Sequence, residues 1–150
     1  MNLFVNKARL LTALFPVILP AVSIAISLSG TFQAWLVSAD PTISTTYESA
    51  GDQAILDVTA TSGRIWRLDV QKNDSFWSSD FHLYCRRTSS GYGGIILGGT
   101  SYQEISASGQ SFFWGWGDVQ DIEIQMRLTM SSSTEPDTYA TTVMYTVVAF

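Results

Sequence analysis

Residues able to act as acid, base, nucleophile or metal ligand are few in this chain. It has one histidine, His82, and one cysteine, Cys85, both within Phe81-His82-Leu83-Tyr84-Cys85. An extended backbone sends alternate side chains to opposite faces, so Phe81, Leu83 and Cys85 share one side and His82 points to the other. Nucleophile and base cannot meet from one strand, and a hydrolase built on His82 would need its Ser and Asp from elsewhere. One His and one Cys also fall short of the protein ligands a zinc site takes. The sequence therefore predicts a protein that is not an enzyme. Cys85 reads as a small buried apolar residue, and a lone cysteine forms no intrachain disulfide.

Oxygen ligands are better supplied. Asp69, Asn73, Asp74 and Asp80 fall in one stretch and Asp118 and Asp121 in another, and calcium binds groups of this kind. The spacing differs from that of an EF-hand loop, and turns favour Asp and Asn for their local hydrogen bonds. Asp74, Asp80, Asp118 and Asp121 are the calcium candidates, and no cofactor is otherwise expected. Asn73-Asp74-Ser75 also has the form of a glycosylation acceptor.

The strongest binding signal is aromatic. Phe112-Phe113-Trp114-Gly115-Trp116-Gly117 concentrates large rings in a few residues, and alternation cannot bury all of them on one face. Three readings stand: Phe113 and Trp116 in the core with Phe112 and Trp114 capping a sheet edge, contact with a neighbouring subunit, or an exposed platform. With Trp77, Tyr92 and Tyr102, Trp114 and Trp116 would make a surface on which sugar rings stack.

Composition limits the partners. Hydrophobic residues make up 46% of the chain and charged residues 14%, against about 25% charged in an average domain. Ser, Thr, Gly and Gln must therefore cover much of the surface, as is common in secreted surface proteins. The net charge is −5, and it becomes −7 if Lys7 and Arg9 are removed with a leader. Phosphate backbones repel such a chain, which argues against nucleic acid. The one basic dyad, Arg86-Arg87, reads as a solvated strand edge.

The elements that must carry these residues are strands. Ile122, Ile124, Met126, Leu128 and Met130 alternate with Glu123, Gln125, Arg127 and Thr129, the period of a half-buried strand. A Thr/Val-rich strand spans Tyr139 to Phe150. Others are expected over Thr31–Val37, Ile43–Tyr47, Ala54–Ala60, Arg64–Gln71, Asp80–Arg87, Tyr102–Ile105 and Gln110–Trp114, with Thr61-Ser62-Gly63 closing a tight hairpin. The glycine-rich run Gly91 to Gly99 reads as a mobile hairpin tip, since no strand-to-helix context makes it a phosphate loop. No helical period follows the N-terminal region. Residues 26–150 are therefore expected to form one all-β domain, an Ig-like antiparallel β-sandwich with Greek-key connections.

Lys7 and Arg9 precede an almost wholly apolar run from Leu10 to Ile24, the form of a secretory signal peptide. Cleavage is expected after Ala25, giving a signal peptide over 1–25, with a second candidate after Ala39. A retained membrane helix is the rival, although Pro16 and Pro20 interrupt it. Membrane attachment would then come only through this uncleaved segment. The expected location is the secreted or extracellular surface, and Val22 to Leu28 already alternates like a strand.

Pro136-Asp137-Thr138-Tyr139-Ala140-Thr141-Thr142-Val143-Met144-Tyr145-Thr146-Val147 resembles the final strand of secreted pilin-like sandwiches, the spore coat U and chaperone-usher pilin type. That resemblance implies a sandwich lacking one strand, completed when an N-terminal extension of the next subunit adds to its edge. Val22, Ile24, Ile26 and Leu28 would be the donor residues, with Tyr139, Val143, Tyr145 and Val147 on the terminal strand. The expected function is thus a structural subunit of an extracellular fibre or coat, homo-oligomeric through its sheet edges. The alternative is a carbohydrate-binding module using Trp77, Tyr92, Trp114 and Trp116.

Overall fold

Alternating side chains along the chain give two antiparallel sheets. The computed structural model describes residues 22–28, 45–60, 63–75, 77–130 and 139–150. In order, its strands are β1 (Val22–Leu28), β2 (Thr45–Glu48), β3 (Ala54–Ala60), β4 (Ile65–Lys72), β5 (Phe81–Arg87), β6 (Ile95–Gly98), β7 (Gln103–Glu104), β8 (Gln110–Trp116), β9 (Val119–Met130) and β10 (Val143–Ala149). Sheet A runs β1-β3-β9-β5-β7, with β2 also on β9, and sheet B runs β10-β4-β8-β6. The expected all-β sandwich is the fold that forms. Residues 1–21 of the expected signal peptide, the strand expected over Thr31–Val37, the cleavage candidate at Ala39 and Pro136 to Thr138 lie outside the described residues, whereas residues 22–25 of that peptide form the first half of β1.

From β3 onward every successive strand changes sheet, the crossover pattern of a Greek-key sandwich. This corrects the hairpin expected at Thr61-Ser62-Gly63. β3 pairs with β1 and β9, whereas β4 pairs with β10 and β8, so the connection passes between layers. The reason is visible in the burial pattern. Leu56 and Val58 of β3 face Trp66, Leu68 and Val70 of β4 across the core, and two such apolar faces are buried better face to face than side by side.

β9 is the spine of sheet A. β2 and β3 lie end to end along one of its edges, and β5 runs along the other. At the break between β2 and β3, the Met126 amide donates to Ser49 Oγ at 2.8 Å, so a side chain substitutes for the missing rung. Near the start of β9 the inward residues change from Val119 to Ile122, a shift of phase that a strict alternation forbids. A bulge absorbs it: the register with β3 slips between Leu56 and Val58, and Asp121 takes a φ of 54°.

Two further expectations are corrected. The glycine-rich run is not a free hairpin tip. Tyr92 bridges Gln120, β6 pairs with β8, and a Cβ at Gly94 would run into the carbonyls of Trp116 and Asp118. Glycine is required there because two backbones touch. Nor is Arg87 a solvated edge charge. It is 7% exposed, and its guanidinium donates to the carbonyls of Gly98 and Ser89 and to Ser90 Oγ. Its position at the inner end of β5 explains this, since the glycine segment offers carbonyls and no side chains to satisfy them.

The core closes over Trp66. Its indole Nε1 donates to Gly117 O at 2.8 Å, and Phe113 meets it edge-on with centroids 6.1 Å apart. Gly115, directly across from Trp66 on β8, leaves the space the indole fills, and a Cβ there would enter the ring. Replacing Gly115 by Ala is predicted to destabilise the fold by about 1–3 kcal/mol, the usual cost of overpacking a full core. Urea denaturation of the variant beside the parent checks this, and an unchanged midpoint would contradict it.

Candidate functional site

The residues expected to work at a strand edge meet along one side of the sandwich. β1 ends sheet A there and β10 ends sheet B, and the two edges approach each other. In register, β1 pairs Val22 with Ala60, Ile24 with Val58, Ile26 with Leu56 and Leu28 with Ala54. The partners of Val22, Ile24 and Ile26 are all buried, so these three β1 residues lie on the core-facing side of the sheet. Val22 and Ile24 pack on the core, yet Ile26 is 44% exposed. On β10, Val143, Tyr145 and Val147 face inward and are only half-buried. Core-facing residues are thus left half-covered on both edges of this seam.

Tyr145 reaches inward from β10 to the neighbourhood of Cys85 on β5. Its strand position is half-open while its hydroxyl is fully enclosed, and among the described residues that oxygen has no hydrogen-bond partner. Burial pushes its pKa well above the ordinary tyrosine value, with the neighbouring Cys85 adding to the effect. Cys85 itself is inaccessible, its thiol pushed up to about 12 by burial. Tyr139 stands beside the same end of the core, its ring edge-on to Phe81 at 4.7 Å.

The outer faces of the two sheets differ sharply. Sheet A presents a polar lattice: His82 Nδ1 lies 2.6 Å from Glu104 Oε1, Arg127 pairs with Glu48, and Tyr102 lies beneath the guanidinium groups of Arg127 and Arg86. Sheet B presents rings and aliphatic chains. One row across it reads Phe150, Ile65, Trp116, Ile95, and the next reads Val148, Arg67, Trp114, Leu97. Ile65, Ile95 and Leu97 are more than half exposed, and Trp114 and Trp116 are 41% and 46% exposed. Arg67 lies within 6 Å of both the Trp114 and Phe150 rings, and its charge is matched by two hydrogen bonds to Asp69 of 2.6 and 2.7 Å.

The aromatic candidates therefore separate. Trp114 and Trp116 share this face, while Phe112 and Phe113 are both buried; Trp116 is not a core residue and Phe112 is. Trp77 belongs elsewhere. It packs edge-on to Phe81, donates its Nε1 hydrogen to the Phe81 carbonyl at 2.9 Å, and lines a cleft of about 250 Å³ with Lys72, Asp74, His82 and Glu104. Tyr92 is 60% exposed and bonded to Asp121, away from the sheet B face. No single platform unites the four.

The calcium candidates are likewise spread out. Asp74 pairs with Lys72, Asp118 Oδ1 accepts the Ala60 amide at 2.7 Å, and Asp121 sits at the β9 bulge with its amide on Asp57. Among the described residues no three His, Cys, Asp or Glu side chains converge as a metal site would require. Nor, among those residues, is any helix long and apolar enough to cross a membrane. Comparison with known proteins adds no relative: no family model, no curated protein and no solved structure matches the chain.

Sequence reasoning missed the Tyr145 hydroxyl and the apolar outer row. Alternation marks which residues share a face but not which sheet face a neighbour covers. Ile65, Ile95 and Leu97 read as ordinary strand residues until β4, β8 and β6 are placed side by side.

Two outcomes follow from the buried groups. Tyr145→Phe is predicted to stabilise the fold by about 1 kcal/mol, because a desolvated hydroxyl without a partner is removed and the ring kept. Equilibrium denaturation measures it, and a loss of stability would reveal a partner. The raised pKa values of Cys85 and Tyr145 mean that the folded chain holds protons the unfolded chain releases. Their contribution is intact below the ordinary thiol value of 9.0 and lost as pH rises towards about 12. Stability should fall over that window, and a flat profile would contradict the burial of both groups.

Proposed function

We propose that this protein is an exported structural subunit of a cell-surface fibre or coat, assembling by β-strand addition at the β1/β10 seam. The observation that carries the reading is the half-covered state of core-facing residues on both seam edges. Among the described residues β1 is held by a single ladder, to β3. A strand held by one ladder can be replaced by the same residues from a neighbour, with the backbone rungs giving affinity and Ile26, which a cut after Ala25 leaves in place, setting register.

Processing would act on the same edge. A cut after Ala25 would remove the residues paired with Asp57, Val58, Thr59 and Ala60, leaving that half of β3 open to another chain. Export and assembly are thereby linked through one bond.

Carbohydrate binding is the second reading, favoured by one observation: Trp114 and Trp116 present their rings on the same exposed sheet face. Sugar rings stack on such surfaces. Trp77 and Tyr92 lie away from that face and do not contribute to it.

The deciding experiment combines the N-terminal mass of the secreted protein with light scattering and negative-stain microscopy. Filaments or detergent-resistant ladders whose subunits begin near Ile26 are expected, and Ile26→Asp should reduce them. A stable monomer beginning at Asp40 would have lost β1 altogether and would sink the strand-addition reading. Retention on immobilised glycans, abolished by Trp114→Ala and Trp116→Ala, would then establish the second.

A further inference from the structure

The geometry points to a second contact, separate from the seam: the outer face of sheet B is where a second copy of this chain docks, face to face about a twofold axis. A single sheet face exposed to water is ordinarily polar, as that of sheet A is here, with His82, Glu104, Arg127 and Glu48 upon it. Sheet B breaks that rule over two adjacent rows. Ile65, Trp116, Ile95, Trp114, Leu97 and Phe150 stand outward with exposures between 41% and 69%.

The amount of surface fits a protein partner. Three half-exposed aromatic rings and their aliphatic neighbours offer on the order of 500 Å² of apolar surface. A stable interface takes about 800 Å² from each partner, somewhat more than half of it apolar. The patch thus supplies what one side of a standard dimer needs. Its residue types are also those of interface centres, where Trp and Arg are enriched and Lys and Glu depleted.

The charge pattern selects a second copy over other occupants. Arg64 stands at the rim of the patch, its guanidinium 3.5 Å from the Phe150 carbonyl, while Arg67 and Asp69 border the patch itself, adjacent on the outward side of β4. They are already neutralised by two hydrogen bonds, and Arg67 lies beside the Trp114 and Phe150 rings, so covering them strands no lone charge. A twofold contact repeats each patch against itself, and it can set Arg67 of one copy opposite Asp69 of the other. The surface is complementary to itself in both charge and apolar content. An anionic membrane gains little from one internally paired arginine and one at the rim on a chain of net charge −5.

The contact is independent of strand exchange at the seam, because β10 lies between the two surfaces and turns Tyr145 and Val147 inward while Met144 and Phe150 face out. Subunits joined at the seam could therefore also pair laterally.

Sedimentation velocity of the purified protein over a micromolar concentration series tests this. A reversible dimer is expected, and Leu97→Asp and Trp116→Ser should each weaken it at least about 30-fold, since central interface residues commonly carry that much. Both side chains are solvent-facing, and an unchanged thermal midpoint will show that the variants fold. Ile26→Asp, at the seam, should leave this dimer intact while reducing strand-added polymers. Those two sets of variants separate failure here from failure of strand addition. A monomer at all concentrations, or a dimer unaffected by both face variants, would overturn the inference. So would a face that retains glycans or neutral phosphatidylcholine vesicles while the protein stays monomeric.

Discussion

The fold depends on one fit: the indole of Trp66 lies against the backbone of Gly115. Trp66 is the largest fully buried side chain, placed at the centre of sheet B, and the glycine opposite lets the ring lie flat against its own sheet. Phe113 then closes on its edge and Gly117 accepts its N–H. The two tryptophans flanking Gly115 consequently point outward, because a strand that turns Gly115 inward must turn Trp114 and Trp116 to the other side. The apolar outer face is the counterpart of how the core is packed. A sequence that buries Trp66 in this way exposes its two neighbours.

The two sheets have unequal tasks. Sheet A carries the long strand β9 and an outer surface of paired charges, which keeps that side soluble. Sheet B carries the aromatic exterior and the terminal strand β10. The residues with titratable chemistry are tied to each other across sheet A: His82 to Glu104, and Arg127 to Glu48. They hold neighbouring strands together on the surface, and His82 and Glu104 also line the cleft beside Trp77.

Much of the architecture was legible from alternation. The inward sets of β3, β4, β5 and β9 follow from period two, and His82 and Cys85 do lie on opposite faces as their spacing requires. The sheet assignment of each strand was not legible, because period two identifies a face without naming the strand beside it. Thr61-Ser62-Gly63 has hairpin chemistry, yet the apolar faces on either side of it gain more by facing each other across the core. Arg87 was misread for a related reason: its partners are main-chain carbonyls contributed by Ser89 and Gly98, and backbone acceptors leave no mark in residue types. Of the aromatic cluster, the density of rings gave away an exposed surface. The division of labour within it was set by the bulge where β8 slips its register against β4, which puts both Phe112 and Phe113 inside.

No described strand pairs with its immediate neighbour in sequence; the nearest pairings skip one strand, as β1 with β3, β5 with β7 and β6 with β8. Among the described residues there is therefore no local hairpin from which folding can start. Every ladder must close a loop that contains another whole strand, and loop entropy is lost before any contact repays it. Proteins of such topology fold in milliseconds to seconds, far slower than those rich in local contacts. Throughout that interval the tryptophans of β8 and the bare edge of β3 are both uncovered, so successful maturation favours folding at low concentration of unpaired chains or under the protection of a holdase.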